Sequence, residues 1–178
     1  MSDATIRASI KSLMDTVAGI GVVHDYSRWT ADEQALRLLF QKDAASPLHG
    51  WEITRDGIPA LSRIAGDKYE ATQGYMIRGH YAIRDSAASE KLFNLVVDAV
   101  VQKFIDNRLA NTEGHSLPVV SIKEWMFGGV LCHRAEIRLG VAEIVTATPE
   151  ADQDLINIML DAYLKPDDET IHSADITI

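Results

Sequence analysis

Apolar and polar positions alternate from Tyr75 to Arg84 and then change to a helical spacing that continues to Asn107. The alternation has the period of two that predicts a strand with one buried face. After Ser86 the apolar residues recur every three or four positions, which predicts the longest amphipathic helix of the chain. Its apolar stripe consists of Leu92, Phe93, Val96, Val97, Val100 and Phe104. We therefore expect this helix to pack on one face of a sheet.

The N-terminal part of the chain predicts a helix followed by a short strand. Asp3 or Ser2 can cap a helix of about four turns, and Gly19 is suited to end it. Gly19 and Gly21 then form a turn into a short strand within residues 22–29. The spacing of the glycines matches the beginning of a dinucleotide-binding fingerprint. That motif follows a strand and opens a helix, whereas the order here is reversed, so it does not indicate a nucleotide site.

A capping-box sequence predicts a second, shorter helix. In Thr30-Ala31-Asp32-Glu33, the Thr30 hydroxyl can accept a hydrogen bond from the free backbone amide of Glu33, and the Glu33 carboxylate can accept one from that of Thr30. We expect this helix to end before Pro47 and a strand to follow near Trp51–Arg55. The segment Asp56–Gly74 contains glycines, a proline and several charges with weak periodicity, which predicts a long, mobile connection.

A glycine pair predicts a β-hairpin in the C-terminal half. Gly128 and Gly129 lie between two alternating runs, Val119–Phe127 and Val130 to about Val145. Both glycines can adopt positive φ without a side-chain penalty, which suits a two-residue hairpin turn. The polar segment 108–118 before the hairpin is expected to be a loop.

The last part of the chain predicts one further helix and a tail. Thr148 is a suitable cap, and Pro149 is a suitable first helical residue. The apolar side of this helix consists of Leu155, Ile156, Met159, Leu160 and Tyr163. Pro166 ends the helix, and the tail to Ile178 is either disordered or a strand lent to a neighbour.

Together these elements predict an α+β fold. We expect a mainly antiparallel sheet of four to five strands with one long helix packed on a face and flanking terminal helices. Residues 1–147 are the expected core domain, and residues 148–178 are a C-terminal helix and tail that pack on the core or extend from it. With 178 residues, 47% of them hydrophobic, the chain is large enough for one such core.

Charge and composition restrict the possible partners. The chain has 26 acidic and 17 basic residues, and no dense basic block offsets the repulsion from phosphate backbones, so we expect no direct binding to nucleic acid. No apolar run approaches the roughly 20 residues that cross a bilayer, and the N-terminus lacks the layout of a signal peptide, so we expect no membrane contact. Cys132 is the only cysteine, which excludes an internal disulfide.

The histidines on predicted strands are the candidates for a metal or catalytic site. His24, His80 and His133 would form a three-ligand site if the strands brought them together, with Asp25, Glu52 or Glu136 nearby. None shows the i, i+4 pairing of a helical zinc motif, and strand histidines commonly bond a neighbouring polar group instead. Cys132 and His133 are consecutive on a strand, so their side chains diverge and do not form a nucleophile and base. We therefore predict no catalytic residue, metal or cofactor.

Large side chains near strand ends and loops are candidates for protein contact instead. Tryptophan and arginine are over-represented in binding hot spots. The candidate contact residues are Arg28, Trp29, Trp51, Trp125 and Phe127. A single tryptophan more often covers a core, because large aromatic side chains are usually well buried. Taken together, these residues favour a surface that binds another protein.

The order of elements resembles that of tail-completion and tail-terminator proteins of tailed phages and prophages. The resemblance covers about residues 3–145, from the N-terminal helix and short strand through the long helix to the closing hairpin. Two stretches resemble prophage proteins of the head-to-tail region. They are Gly19-Ile20-Gly21-Val22-Val23-His24-Asp25-Tyr26-Ser27-Arg28-Trp29 and Trp125-Met126-Phe127-Gly128-Gly129-Val130-Leu131-Cys132-His133 with the following Ala135-Glu136.

The resemblance implies a structural function without catalytic residues or a cofactor. Proteins of this type form homo-oligomeric rings, commonly hexamers, that stop the growth of the tail tube and provide the surface on which the filled head docks. The implied partners are tail-tube and head-completion proteins, first in the host bacterial cytoplasm and then in the virion tail. Sheet edges and loops make the contacts, which fits Arg28, Trp29 and the connection Asp56–Gly74. The helix after Pro149 departs from the simplest pattern of the family.

The sequence leaves two other functions open. A small metal-dependent enzyme would use His24, His80 and His133. A ligand-binding module would show a deep apolar pocket with a few convergent polar groups.

Overall fold

A computed structural model describes residues 3–57, 60–110 and 112–146, which form three α-helices and seven strands. The helices are α1 (Asp3–Met14), α2 (Glu33–Leu39) and α3 (Ser89–Asp106). The strands are β1 (Val22–His24), β2 (His49–Arg55), β3 (Ala60–Ala65), β4 (Lys68–Ala82), β5 (Gly114–His115), β6 (Val119–Phe127) and β7 (Val130–Thr146). The predicted C-terminal helix and tail, residues 148–178, lie outside the described residues.

The long antiparallel pair of β4 and β7 forms the centre of the sheet. Each residue of β4 has a partner on β7, from Lys68 opposite Thr146 to Ala82 opposite Cys132. The other edge of β4 pairs with β2 along one half and with β3 along the other half. In the same way, β6 and β5 share the other edge of β7. The sheet is therefore five strand positions wide, in the order β1, β2, β4, β7, β5.

The predicted α+β class with a mainly antiparallel sheet is confirmed, whereas the predicted four to five antiparallel strands are too few. Seven strands form the described sheet because two of its positions each hold two short strands in tandem. One pair is parallel, since β1 enters beside β2 with Val23 opposite Trp51. The separately predicted shorter helix before Pro47 is confirmed as α2, which lies between β1 and β2 and which the overall prediction of one long helix with flanking terminal helices did not include.

One face of the sheet, here called the helix-bearing face, holds the main core. α1 contacts β1 and β2, and α3 contacts β4 and β7. The largest fully buried side chains of this core are Ile6, Ile10, Met14, Trp51, Ile53, Tyr75, Ile77, Phe93, Phe104, Ile137 and Leu139. The Tyr75 hydroxyl donates a hydrogen bond of 3.0 Å to the Asp3 carboxylate, which joins the beginning of α1 to the central strand.

Among the described helices, only α2 covers the opposite face, here called the polar face, and it does so at one end. α2 and the turn after it pack there through a small second core of Phe40, Leu48, Ala82 and Cys132. Elsewhere the strands present charged residues on this side, because Arg78, Arg134 and Glu136 alternate with the apolar residues that face α1 and α3. The single sheet therefore has one apolar and one largely polar side.

The predicted hairpin is confirmed. Phe127 pairs with Val130, and the two residues between them, Gly128 and Gly129, have φ of 53° and 71°. Positive φ at both central positions is the requirement of the turn type that matches the twist of a two-residue hairpin. Its strands, β6 and β7, follow the predicted bounds closely.

The prediction of a mobile connection over Asp56–Gly74 is wrong. Most of this segment belongs to a second hairpin, in which β3 pairs with the first part of β4. Gly66, with φ of 56°, lies in the turn between the two strands. Most described side chains of β3 and its turn are exposed, so no face of β3 carries the apolar pattern that would have identified a strand.

The predicted beginnings of two helices also differ from the structure. The cap of α2 is Asp32, whose side chain accepts a hydrogen bond of 2.6 Å from the Ala35 amide, in place of Thr30. α3 begins at Ser89 and not at Ser86, since Ala88 adopts a left-handed conformation with φ of 48° after a short 3-10 helix. In the described part of the chain, neither α3 nor a shorter helix is both long and apolar enough to span a membrane.

The close approach of Trp51 to Gly79 gives a test of this packing. The two residues are opposite each other on β2 and β4, and a Cβ atom at Gly79 would lie 2.5 Å from the Trp51 ring. We expect Gly79→Ala to lower the free energy of unfolding by about 1 to 3 kcal/mol through overpacking. Urea unfolding followed by circular dichroism measures this change.

Gly140→Ala is the matched control. A Cβ atom at Gly140 would meet its nearest neighbours, in Ser116 and Thr72, at 3.5 Å, which is an ordinary contact. This variant should leave the free energy of unfolding unchanged or raise it by up to about 1 kcal/mol, because alanine restricts the unfolded chain. Equal effects of the two substitutions would contradict the proposed packing of Trp51.

Candidate interaction surfaces

The pairing of the strands aligns polar side chains in a band across the polar face. Glu52 lies opposite His24 on one side and opposite Arg78 on the other, and Arg78 lies opposite Glu136. Glu136 in turn lies opposite Ser121 of β6. Since directly opposed residues of neighbouring strands share a face, this band extends over all five strand positions of the sheet.

The part of the band on β2 and β4 is tied to the loop that follows β1. The buried Glu52 carboxylate accepts a hydrogen bond of 2.9 Å from the Ser27 hydroxyl and lies 3.8 Å from an Arg78 nitrogen. Arg78 also donates a hydrogen bond of 3.2 Å to the Thr54 hydroxyl. These contacts hold the loop after β1 against the sheet.

The part of the band on β7 and β6 surrounds a tryptophan. Glu136 forms ion pairs with Arg134 and Lys123, whose nitrogens lie 2.7 Å and 3.4 Å from its carboxylate oxygen. The Arg134 guanidinium lies 4.7 Å from the centre of the Trp125 ring, and the Lys123 ammonium lies 5.6 Å from it. Both cations are within the range of a cation–π interaction, so they favour this position of the Trp125 ring, of which 46% is exposed.

Three of the five predicted contact residues are accessible, two in the loop after β1 and one on β6. Trp29, in the loop after β1, is 79% exposed. Arg28, in the same loop, is partly exposed, with its guanidinium 5.2 Å from the centre of the Tyr26 ring and a hydrogen bond to the Tyr26 hydroxyl. Trp125 lies at the other edge of the sheet, on β6. The structure therefore keeps Arg28, Trp29 and Trp125 available for contact.

The prediction of Trp51 as a contact residue is wrong. Trp51 is fully buried on the helix-bearing face, where its ring stacks on Phe93 with centroids 5.8 Å apart. Its indole nitrogen donates a hydrogen bond of 2.8 Å to the Ile20 carbonyl, which joins β2 to the turn before β1. Trp51 shares its strand face with the apolar Ile53, and this alternation was the signal for burial.

Phe127 has a mainly structural position. It is partly buried, and its ring stacks on His80 at 4.0 Å and meets the edge of Phe40 at 4.8 Å. These contacts fix the end of β6 beneath α2. Phe127 therefore supports the position of the neighbouring Trp125 more than it offers a surface of its own.

His80 is a buried histidine without a polar partner in the described part of the chain. It is 2% exposed, and neither ring nitrogen has a hydrogen bond. Burial, with smaller contributions from Arg134 and Arg78, lowers the pKa of His80 to about 3. The imidazole is therefore neutral at physiological pH and packs as an aromatic ring between Phe40 and Phe127.

The three histidines of the alternative metal site do not converge. His24 and His80 lie on the polar face, where both contact Phe40. His133 lies on the helix-bearing face, where its ring stacks on Phe93 and Nε2 is 3.2 Å from the Ser89 hydroxyl. His24 Nε2 bonds the Leu39 carbonyl at 2.8 Å. Within residues 3–57, 60–110 and 112–146, no group of three or more histidine, cysteine or acidic side chains is arranged to hold a metal ion.

Cys132 and His133 point to opposite faces, as the sequence predicted. Cys132 is fully buried beneath α2, and its thiol donates a hydrogen bond of 3.5 Å to the Val130 carbonyl. Burial raises the pKa of the thiol to about 11, so the reactive thiolate is disfavoured. Cys132 is a core residue in this fold.

β6 offers a larger surface than the two residues, Trp125 and Phe127, that the sequence analysis named on it. All of its side chains except Phe127 are exposed. Val119 and Trp125 point to the polar face, and Val120, Ile122 and Met126 point to the helix-bearing face. Within the described residues β6 pairs only with β7, so its outer edge is free. Apolar residues on both faces of this nine-residue strand were the signal for this surface.

A groove of about 410 Å³ lies between α2 and the segment that follows β4. Its lining includes Arg37, Arg84, Gln34 and Gln41 beside apolar residues such as Leu38. The groove is open to solvent and not enclosed, so it differs from the deep pocket that the ligand-binding alternative requires.

Comparisons with protein-family models and with curated proteins find no match for this chain.

The buried histidines predict a loss of stability in acid. Burial lowers the pKa of His49 to about 4 and that of His80 to about 3, both below the value of 6.5 for an exposed histidine. Below about pH 6.5 the unfolded chain binds protons that the folded chain does not bind. The free energy of unfolding therefore decreases as the pH is lowered. Each histidine contributes a slope of up to about 1.4 kcal/mol per pH unit between its two pKa values.

His80→Phe tests the contribution of His80, because phenylalanine preserves a ring against Phe127. We expect the slope of unfolding free energy between about pH 6 and pH 4 to decrease by up to about 1.4 kcal/mol per pH unit. Above about pH 7 the pH dependence of the variant and the wild type should be the same. Urea unfolding at a series of pH values measures both slopes, and identical slopes in acid would contradict a neutral, buried His80.

Proposed function

We propose that this chain is a structural assembly protein of a tailed phage or prophage, of the tail-completion or tail-terminator type. Its subunits would join head to tail into a ring, six in number as the family resemblance implies, on the end of the tail tube. The observation that supports this function best is β6, a nine-residue edge strand with exposed apolar side chains on both faces. The partners are a second copy of the chain, the tail-tube protein and head-completion proteins.

The free edge of β6 is suited to pair with a neighbouring subunit. An edge strand presents unpaired amide and carbonyl groups, and soluble proteins usually protect such edges with short strands, prolines or inward charges. β6 is long, contains no proline and carries Lys123 and Glu124 as its only charges. These features favour an edge that is covered in an assembly by another chain.

Trp125 gives this edge a specific contact. Tryptophan residues that are held in place by their neighbours dominate the binding energy of many interfaces. Arg134 and Lys123 hold the Trp125 ring on the polar face beside the free edge. The ring is already ordered, so a partner pays little conformational entropy to bind it.

A closed ring also requires a second, different surface on each subunit. The loop after β1 provides a candidate, because it contains the exposed Trp29 and the partly exposed Arg28. β1 is at the opposite side of the sheet from β6, about 19 Å away across four strand spacings. Contact between the β6 edge of one subunit and the Trp29 loop of the next would join two different surfaces, as a head-to-tail ring needs.

The net charge supports control over the time of assembly. A formal charge of −9 makes free subunits repel each other until a complementary partner surface is present. The subunits would therefore remain separate in the bacterial cytoplasm and join when the tail tube is available. This mechanism requires neither a cofactor nor direct contact with nucleic acid.

Trp125→Ala tests the proposed contact. The assay mixes the protein with tail-tube protein from the same prophage and counts capped tube ends by electron microscopy. Loss of a hot-spot side chain should weaken capping at least tenfold, which corresponds to about 1.4 kcal/mol. Leu92→Ala is the matched control, because Leu92 on α3 is 47% exposed, almost the same fraction as Trp125. Equal capping by both variants would contradict a role of Trp125.

Light scattering at several salt concentrations tests the proposed control by charge. The free protein should be mainly monomeric in low salt and should associate more as salt screens the repulsion. Added tail tubes should recruit the subunits at low salt as well. A tight hexamer at all protein and salt concentrations would rule out this control.

A further inference from the structure

The groove between α2 and the segment that follows β4, here called the α2 groove, carries two cationic side chains. Arg37 belongs to α2 and Arg84 follows β4, so each of the two elements that form the groove supplies one guanidinium group. The rest of the lining consists of two glutamines and of apolar residues such as Leu38 and Pro47. Among the described residues, no acidic side chain lines the groove. Its chemistry therefore suits a ligand that combines carboxylates with an apolar group.

Neither arginine is neutralised by a neighbour. In residues 3–57, 60–110 and 112–146, the guanidinium groups of Arg37 and Arg84 form no ion pair and no hydrogen bond. Glu33 lies one turn before Arg37 on α2, but its carboxylate is directed to the hairpin turn, 2.5 Å from where a Cβ atom of residue 129 would lie. Arg84 is exposed and Arg37 is partly exposed. Both cations are thus available to carboxylates, with which arginine forms strong, charge-assisted hydrogen bonds.

Most of the negative charge of the protein lies in its C-terminal segment. Residues 147–178 contain eight acidic residues and one basic residue, so they carry −7 of the net charge of −9, and residues 1–146 carry −2. The segment includes three consecutive carboxylates, Asp167-Asp168-Glu169, here called the acidic run. Pro166 separates this run from the helix predicted before it, and Ile171 follows it closely. The acidic run thus has the charge and the apolar neighbour that the α2 groove suits.

We propose that the α2 groove of one subunit binds the acidic run of a second copy of the chain. Carboxylates of the run pair with Arg37 and Arg84, and the two glutamines of the groove donate further hydrogen bonds. Ile171 lies against the apolar part of the lining, near Leu38 and Pro47. The contact joins two different surfaces, as a head-to-tail arrangement of subunits requires.

The run comes from a second copy because the predicted helix keeps it away from the groove of its own chain. The 17 residues of β7 separate Val130, in the lining of the groove, from Thr146 by about 53 Å. A helix over residues 150–164 advances the chain by about 22 Å, and residues 147–149 and 165–167 add about 20 Å when extended. The acidic run of the same chain therefore ends roughly 10 Å short of its groove, even with the whole connection aligned.

The choice of a second copy rests on the proposed head-to-tail assembly, to which it adds a contact. Ion pairs with exposed partners are weak singly, so this contact alone does not hold free subunits together. In a closed ring each subunit gives its acidic run to one neighbour and receives the run of the other, and the contacts reinforce one another. α2 follows the loop of Trp29 directly in the chain, so the contact extends the surface already proposed there.

Disulfide trapping between two differently substituted chains tests the contact without tail tubes. In a Cys132→Ala background, one full-length chain carries Gln34→Cys, at an exposed position in the groove, and the other carries Asp168→Cys. The matched control replaces Gln34→Cys with Gln102→Cys, because Gln102 is an exposed glutamine on α3, away from the groove. After mild oxidation of the mixed chains, non-reducing gels and mass spectrometry measure the mixed disulfide.

We expect at least tenfold more mixed disulfide from the groove chain than from the control chain. Arg37→Glu with Arg84→Glu in the groove chain should reduce the yield to that of the control. Asp167→Lys with Glu169→Lys in the other chain should then restore it, because the charges are exchanged, and this rescue shows that the altered groove is folded. Equal yields from the groove and control chains, or a yield that the exchanges do not change, would overturn the proposal.

A single chain with both Gln34→Cys and Asp168→Cys identifies the source of the run. Disulfides that link two chains support a second copy as the occupant. A disulfide that closes within one chain, in dilute protein, would overturn this assignment. The trapping uses the protein alone, so a failure of this proposal can be told from a failure of the proposed function, which the capping of tail tubes tests.

Discussion

The antiparallel pairing of β4 with β7 is the constraint on which the other features depend. Fifteen consecutive residue pairs, from Lys68 opposite Thr146 to Ala82 opposite Cys132, fix the side of the sheet on which each residue lies. A shift of one residue would move every side chain to the other face. This register places Ile77 and Ile137 against the helices and sends Arg78 and Arg134 to the polar face. The core and the interaction surface are thus two results of one pairing.

The two faces are suited to different tasks because they are stabilised in different ways. The helix-bearing face excludes water, and Trp51 and Phe93 illustrate its close packing. The polar face is held by directional contacts, such as the bonds of Glu52 to Ser27 and of Glu136 to Arg134. Such contacts order side chains and still leave them accessible to a partner. Trp125 is the clearest example, because its ring is fixed by cations and remains about half exposed.

Local sequence patterns predicted the elements, and long-range register determined what the pattern could not show. The Gly128-Gly129 hairpin and the helix α3 follow from turn chemistry and periodicity, which act over a few residues. β3 was missed because its exposed side chains follow no apolar period. The metal hypothesis failed for a different reason. His80 is an odd number of residues from the core residue Ile77, whereas His133 is an even number of residues from the core residue Ile137. The strand alternation therefore already placed the two rings on opposite faces of the sheet. The alternation of Trp51 with Ile53 indicated a buried side of the strand, and the complete burial of Trp51 comes from packing on Phe93 of α3, which is distant in sequence.

The central pair also determines how the chain must fold. Tyr75 and Leu139 are opposite each other although 64 residues separate them in sequence, and α3 and the β6–β7 hairpin lie in between. This loop must close before most of the stabilising contacts form. The chain therefore loses the entropy of loop closure early in folding. Folds dominated by such non-local pairing acquire their native state in milliseconds to seconds, slower than helical bundles. Until the two strands meet, β4 and β7 are both available to other nascent chains, and the local hairpins of β3 with β4 and of β6 with β7 each protect only one edge of one strand.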